Sequence, residues 1–233
     1  METIDPTPKF YFRGNTEEIG VLKNGAAVPP SVCPAGWLGS LTVRGAGYVA
    51  FAPATGGDGV AFHQSSAQNT DVAFVNFGGS GFEQVFDTAS EISFLLKSSY
   101  SFAERSALPY LNMRTAFEVM DASTSRFIFA TYTTGGQLQF VFGAQGFSAL
   151  YAIPSGQADQ IFGKGVVAKI SIKWINTSFS LYVNDTLVRT VAVSPTVANW
   201  SALSTLTIGS RSVRIAGGGL YASDDSIADL MIR

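Results

Sequence analysis

The strongest structural signal in this 233-residue chain is the stretch VAKISIKW at residues 167–174, followed by FSLYVNDTLV at residues 179–188. In the first stretch apolar residues alternate with lysine and serine, and a period of two is typical of a strand with one buried face. The second stretch is interrupted by Asn184-Asp185, and both residue types tolerate the left-handed backbone of a tight hairpin turn. We therefore predict a strand that continues into a hairpin.

Similar runs extend outward from this stretch along most of the chain. Alternating or dense apolar runs occupy residues 41–51, 59–63, 91–97, 126–132 and 137–142. Glycine-rich turn signals separate several of them, for example at residues 55–59 and 78–81. No run has the pattern of a long helix, since residues 101–113 have mixed periodicity and contain Pro109. Many short strands predict an all-β fold, a two-sheet antiparallel β-sandwich or jelly roll.

The N-terminal segment lacks this regular alternation. Residues 9–13 are compatible with a short strand, and the prolines within residues 29–34 require extended backbone because proline removes a donor and disfavours helix before it. We predict an irregular N-terminal arm over residues 1–40 that packs on a β-sandwich domain over residues 41–233.

The motifs of the last third of the chain follow a recognisable order. A strand ending in Trp174 is followed by L-Y-V-N-D at residues 181–185, by I-G at residues 208–209 and by the closing stretch S-I-A-D-L-M-I-R at residues 226–233. This order resembles the laminin G-like branch of the concanavalin A-like lectin/glucanase superfamily. In that family a strand ending in Trp, an L-Y-V-D-G hairpin, an I-G strand and a closing I-D-D-V-R-I strand recur.

The resemblance covers about residues 70–233. Within this range, residues 81–94 are similar to the early strands of the family. It departs where Asn184-Asp185 replaces Asp-Gly, a change that a tight hairpin tolerates. It implies a jelly-roll fold. The superfamily includes structural, carbohydrate-binding and glucan-cleaving proteins, so the fold alone does not assign a function.

Composition excludes several classes of protein. The formal net charge is −2, and binding to nucleic acid requires clustered Lys and Arg, so we expect no nucleic-acid partner. Hydrophobic residues make up 46 % of the chain, which excludes intrinsic disorder. No apolar run reaches about 18 residues, so we expect no membrane insertion. One His and one Cys exclude zinc sites built from these residues and any intrachain disulfide.

Catalytic residues are not evident, and we predict none. The glucan-cleaving relatives carry paired carboxylates on one strand face, in an E-x-D-x-E pattern, and a retaining glycosidase needs two carboxyls roughly 5 Å apart. The nearest candidates here are Glu118 and Asp121, whose spacing of three places them on opposite sides of a strand. Catalysis by a Ser-His-Asp triad would require His63, which lies at the end of an apolar run and reads as a strand-edge residue.

The sequence also contains a weak candidate for a metal-binding site. Relatives with this fold often hold Ca²⁺ through loop carboxylates and carbonyls. Asp224 and Asp225 supply adjacent oxygen donors of the kind that Ca²⁺ takes, and a solvated polar turn is the alternative interpretation. We expect no other cofactor.

Aromatic residues in predicted loops are the candidate ligand-binding group, because saccharides stack on aromatic faces. These residues are Trp200, Tyr221, Tyr151, Tyr110 and Trp37. Each of them has a core-packing alternative, which is the usual role of an aromatic residue in a sandwich.

Two main functional hypotheses follow. The first is a non-catalytic structural or attachment protein, such as a bacteriophage virion surface component, in a homo-oligomer or larger assembly that contacts other subunits or host glycans. It rests on the irregular arm, the positive mean hydropathy and an opening sequence in which we expect no secretory signal. The second is a carbohydrate-binding module of a secreted bacterial protein. A glycoside hydrolase is a third alternative, which lacks the paired carboxylates. The first two place the protein on a virion or an extracellular surface.

Overall fold

The computed structural model of the protein describes residues 8, 10–12, 27–28, 38–44, 48–54, 57–63, 72–78, 85, 89–107, 115–121, 126–132, 137–144, 147–175, 178–192, 204–209 and 225–233. The strands are β1 (Phe10–Phe12), β2 (Ala27–Val28), β3 (Leu38–Arg44), β4 (Tyr48–Ala54), β5 (Gly57–His63), β6 (Val72–Gly78), β7 (Glu91–Lys97), β8 (Thr115–Met120), β9 (Arg126–Tyr132), β10 (Leu138–Ala144), β11 (Phe147–Ala152), β12 (Val167–Ile175), β13 (Ser178–Val183), β14 (Thr186–Ala192), β15 (Thr205–Ile208) and β16 (Ser226–Ile232). Among the described residues, the two helices with bounds are α1 (Phe102–Ala107) and α2 (Ser155–Phe162).

The strands form two antiparallel sheets of eight strands each. The first sheet has the order β14-β13-β12-β7-β16-β5-β4, and β1 lies beside the C-terminal half of β16. The second sheet has the order β11-β10-β9-β8-β15-β6-β3-β2. The predicted two-sheet antiparallel β-sandwich is therefore confirmed.

The hairpin that decides the fold forms as predicted. Strands β13 and β14 pair around Asn184 and Asp185, whose φ angles are 50° and 62°. Two consecutive left-handed residues make the turn whose twist matches that of the flanking strands. The Asn184 side chain also accepts a hydrogen bond from the backbone N–H of Lys169 at 2.9 Å, which ties the turn to β12.

The core lies between the two sheets, and contacts between aromatic side chains in the core join one sheet to the other. Phe10 and Phe12 of β1 meet Phe77 of β6 edge to face, with ring centroids 5.3 and 5.2 Å apart. Phe94 of β7 meets Phe117 of β8 in the same way at 4.9 Å. Such pairs contribute about 0.5–1.5 kcal/mol beyond the burial of their area. Each of the three contacts links one sheet to the other.

Several strands differ from the sequence-based prediction. The run 41–51 is divided between β3 and β4. The predicted strand at residues 9–13 is present as β1, and its antiparallel pairing with β16 places it inside the first sheet. The division between an arm and a domain at residue 40 stays a prediction. Within the described ranges, no helix is long and apolar enough to cross a membrane.

Helix α1 begins with a capping box. The backbone N–H of Ser101 donates to Glu104 Oε2 at 2.8 Å, and the N–H of Glu104 donates to Ser101 Oγ at 3.2 Å. The bond from the Ser101 backbone lowers the pKa of Glu104 below its ordinary value, and Lys164, whose Nζ donates to Oε1 at 3.0 Å, lowers it further. The carboxylate form of Glu104 therefore helps to hold the first turn of α1.

A buried ion pair ties α1 to the beginning of β16. Arg105 Nη2 lies 2.7 Å from Asp225 Oδ1, and both side chains are almost fully buried. The same Oδ1 accepts a bond from the backbone N–H of Ser99 at 3.0 Å, and Arg105 also donates to Ser98 Oγ at 2.8 Å. The guanidinium lies 5.3 Å from the centroid of the Tyr100 ring. Because the charges are desolvated, each depends on its partner.

We predict that breaking this pair destabilises the fold strongly. Asp225→Asn or Arg105→Met leaves an uncompensated buried charge, and the expected loss is about 3–5 kcal/mol in the free energy of unfolding. Urea unfolding monitored by tryptophan fluorescence measures it. Lys164→Ala removes an exposed ion pair and serves as the control, with an expected loss under about 1 kcal/mol. Equal losses for the buried and exposed pairs would contradict the prediction.

The capping box predicts a dependence of stability on pH. In the folded state the pKa of Glu104 is depressed, so its stabilising contribution is present above the pKa of the unfolded chain. The contribution is lost as the pH falls through the lower folded-state pKa. The difference in free energy of unfolding between the wild type and Glu104→Gln should therefore shrink on acidification, as measured by urea titrations between pH 7 and pH 2. A difference that is independent of pH would contradict this.

Candidate functional site

The outer face of the first sheet, which points away from the core, carries a cavity of about 300 Å³. We call it the outer-face cavity. Its lining residues come from four neighbouring strands and are Tyr11 of β1, Ser93, Phe94 and Leu95 of β7, Lys169 of β12, and Asp229 and Met231 of β16.

The cavity exists because short side chains occupy the middle of a row of outward-facing residues. Strand registers place Ser171, Ser93, Met231 and Tyr11 side by side across β12, β7, β16 and β1. Ser93 and Ser171 are only 3 % and 4 % exposed although they face outward, because longer neighbours surround them. Two serines in the centre and a tyrosine at one end leave a depression in the sheet surface.

A β-bulge aims Asp229 into this depression. The register of β16 against β7 shifts between Ala228 and Met231, and Asp229 between them has a φ of 50°. Aspartate tolerates this left-handed backbone better than most residues. Bulges re-aim side chains and are frequent beside functional sites. Tyr11 Oη donates to Asp229 Oδ1 at 2.7 Å, so the first and last strands of the chain meet at the cavity.

The two charged side chains that line the cavity, Asp229 and Lys169, differ in the partners that they contact. In the part of the chain that the structure describes, no cation lies within ion-pair distance of Asp229, whose recorded partner is the neutral phenol of Tyr11. Lys169, by contrast, lies at the exposed rim, and its Nζ is 2.7 Å from Asp185 Oδ1 of the hairpin turn. The cavity therefore presents a carboxylate as an acceptor and an ammonium group that is already paired.

The arrangement can bind a polar molecule. Asp229 supplies acceptors, Ser93 supplies a hydroxyl group, and Leu95 and Met231 supply apolar surface. Among the described lining residues Asp229 is the one carboxylate, and glycoside hydrolysis uses a pair.

The carboxylates considered for catalysis lie on the other sheet. Glu118 of β8 is fully buried and is paired in register with Thr207 of β15. Asp121 follows the end of β8, is also buried, and accepts a bond from Ser204 Oγ at 3.3 Å. Neither residue lines the outer-face cavity.

The predicted aromatic site receives one correction. The prediction placed Tyr151 in a loop, but the structure places it in β11, where its backbone pairs with Phe140 of β10. The reason is that β10 and β11 form a hairpin whose pairing continues to Ala152, so the strand passes through position 151. The other four predicted aromatics lie outside the described residues: Trp200, Tyr221, Tyr110 and Trp37.

The structure describes one of the two predicted metal ligands. Asp224 lies outside the described residues, and the carboxylate of Asp225 is the buried partner of Arg105. Within the described ranges, no group of three or more His, Cys, Asp or Glu residues is placed to hold a metal ion. Calcium binding at these two positions stays a prediction.

Sequence reasoning identified part of the cavity without recognising it. In the sequence, Ser93, Lys169 and Ser171 alternate with apolar residues, which indicates that they lie on the polar face of their strands. The contact between Tyr11 and Asp229 joins residues 218 positions apart, and no local pattern signals such a pairing.

The comparisons with known proteins concern the fold. A scan against protein-family models gives no match, and neither does a search of curated proteins. Among solved structures, the binding domain of botulinum neurotoxin DC in complex with SialylT aligns with a TM-score of 0.61 at 13 % identity, over 97 % of this chain and 48 % of that chain. The same binding domain in complex with rat synaptotagmin II aligns with a TM-score of 0.56 at 14 % identity, over 93 % and 48 %.

Domains LG4-5 of the mouse laminin α1 chain align with a TM-score of 0.47 at 12 % identity, over 62 % of this chain and 35 % of that chain. This chain spans about half the length of the toxin binding domains that it matches. At these identities the likeness concerns the fold. The chain has the jelly-roll β-sandwich fold that its many short alternating strands predicted.

Proposed function

We propose that this chain is a non-catalytic, lectin-like recognition domain that binds a saccharide in the outer-face cavity. The observation that carries the proposal is the bulge at Asp229, which aims a carboxylate without a described cationic partner into a cavity on an exposed sheet face. Left-handed backbone at a non-glycine residue inside a strand is costly, and such residues cluster at functional sites.

The chemistry of the lining supports a saccharide. A sugar ring presents hydroxyl groups around its edge and apolar C–H groups on its faces. Asp229 and Ser93 can bond to hydroxyl groups, while Leu95 and Met231 can pack on a C–H face. Binding pockets commonly combine apolar walls with a few polar groups that fix orientation.

The structural neighbours support a recognition role of this kind. The toxin binding domains with the same fold are described in complexes, one with SialylT and one with rat synaptotagmin II. Because this chain matches about half of their length, their partners are not transferred to it. These neighbours support the proposal that this chain is a binding domain without a catalytic role.

We predict that filling the cavity abolishes saccharide binding. Ser93→Leu places a larger side chain at the cavity floor, and binding to the glycan that gives the strongest signal on a glycan array should fall at least about tenfold. Ser180→Leu is the matched control, since Ser180 lies on the same sheet face in β13, outside the lining. Thermal unfolding verifies that both variants fold. Unchanged binding by Ser93→Leu would contradict the assignment of the site.

Asp229→Asn tests the carboxylate itself. Asparagine tolerates the left-handed backbone and retains an acceptor for Tyr11, so the fold should persist while a charge-assisted bond to the ligand is lost. Such bonds contribute about 1.5–3 kcal/mol, and we expect affinity for the same glycan to fall by at least about tenfold. Isothermal titration calorimetry measures the change.

The virion setting and the homo-oligomer remain hypotheses from the sequence. The full-length chain is the suitable sample for testing assembly, because Phe10 and Phe12 of the predicted arm are fully buried in the core. Light scattering over a concentration series is expected to detect a mass above 24.7 kDa if the chain assembles. A strict monomer at high concentration would count against assembly and would leave the saccharide proposal intact.

A further inference from the structure

The charges at the outer-face cavity bear on which saccharide it takes. Asp229 is the one carboxylate among the described lining residues, and its recorded partner, the Tyr11 hydroxyl, is neutral. An anionic group brought beside Asp229 would meet a like charge that no described cation offsets. Two like charges in direct contact at a partly buried site repel each other more strongly than they do in bulk water.

Lys169 is the cation that could offset this repulsion, but Asp185 holds it. The Lys169 ammonium is 2.7 Å from Asp185 Oδ1, and both groups lie at the exposed rim. Asp185 is positioned by the hairpin turn, in which it has a φ of 62°. Counting this partner, the described residues of the cavity and its rim supply two carboxylates for one ammonium group.

A neighbouring row of charged residues on the same sheet forms ion pairs within itself. Lys173 Nζ and Arg233 Nη1 lie 3.9 and 3.8 Å from Glu91 Oε2, and none of the three lines the cavity. Lys173 also lies 5.0 Å from the centroid of the Tyr182 ring. These cations are therefore directed to Glu91 and Tyr182, not to the cavity.

The remaining features suit an uncharged ring. A volume of about 300 Å³ is at the lower end for ligand pockets, which favours one sugar ring over an extended oligosaccharide. The Ser93 hydroxyl group can bond to a ligand hydroxyl group, and Asp229 can accept from one. Leu95 and Met231 offer apolar surface to a C–H face.

Resting on the proposed saccharide site, we infer that the outer-face cavity binds a single neutral hexopyranose ring and discriminates against acidic sugars such as sialic acid. The carboxylate of Asp229 both holds the neutral ring through its hydroxyl groups and repels an acid. Asp185 maintains the discrimination by pairing with Lys169.

The test uses the full-length ¹⁵N-labelled chain and soluble probes. The probes are the methyl glycosides of glucose, galactose and mannose, and N-acetylneuraminic acid. The amide signals of Ser93, Lys169 and Asp229 report on the cavity. We expect at least one neutral glycoside to shift these signals. The affinity of N-acetylneuraminic acid for the cavity should be at least about tenfold lower than that of this glycoside.

Two variants test the charge argument. Asp185→Asn releases Lys169 while keeping a residue that tolerates the turn, and it should raise the affinity for N-acetylneuraminic acid relative to the neutral glycoside. Asp229→Asn should lower the affinity for the neutral glycoside and reduce the ratio between this affinity and that for N-acetylneuraminic acid. Lys164→Ala changes an exposed charge outside the lining, so it is the control and should leave the ratio of the two affinities unchanged.

The outcomes separate this inference from the proposed function. If N-acetylneuraminic acid shifts the cavity signals with equal or higher affinity, or if Asp185→Asn leaves the ratio unchanged, the inference is wrong and the saccharide site stands. If none of the probes shifts these signals and a glycan array gives no binder, the proposed function itself fails, and the inference fails with it.

Discussion

Packing of Phe10 and Phe12 against Phe77 joins β1 to the opposite sheet, and the arrangement of the outer-face cavity depends on it. The two phenylalanines are fully buried and hold β1 beside the C-terminal half of β16. Because alternate residues of a strand face opposite sides, burying both of them turns Tyr11 outward. A core contact thus places a polar side chain at the cavity, where it bonds to Asp229.

Strand β16 serves the core and the cavity at once, and the bulge makes this possible. Ile227, Leu230 and Ile232 are fully buried, although a regular alternation would not place positions 227 and 230 on the same face. The extra residue resets the alternation, so that Asp229 points to the outer face while its neighbours continue to fill the core. The conformation that exposes the carboxylate is therefore held by the burial of the residues around it.

The two kinds of charged contact in the molecule have different consequences. Arg105 and Asp225 are desolvated and hold α1 to β16, so their loss is expected to affect folding. Lys169 and Asp185 are exposed, and their pairing contributes little to stability. It determines instead which charge the rim presents to a ligand. Since the cavity lies on the face opposite the core, its outward-facing side chains, unlike that of Phe94, can change with limited effect on the packing between the sheets.

The sequence by itself determined the sandwich, the hairpin at Asn184-Asp185 and the polar character of the face that contains Ser93 and Lys169. These features follow from alternation and turn chemistry, which act between residues close in the chain. Only the tertiary structure decided that Tyr11 meets Asp229, and that Asp225, predicted as a loop ligand, lies beside Arg105. These contacts depend on strand order and on a bulge, because both bring together residues that no local period relates.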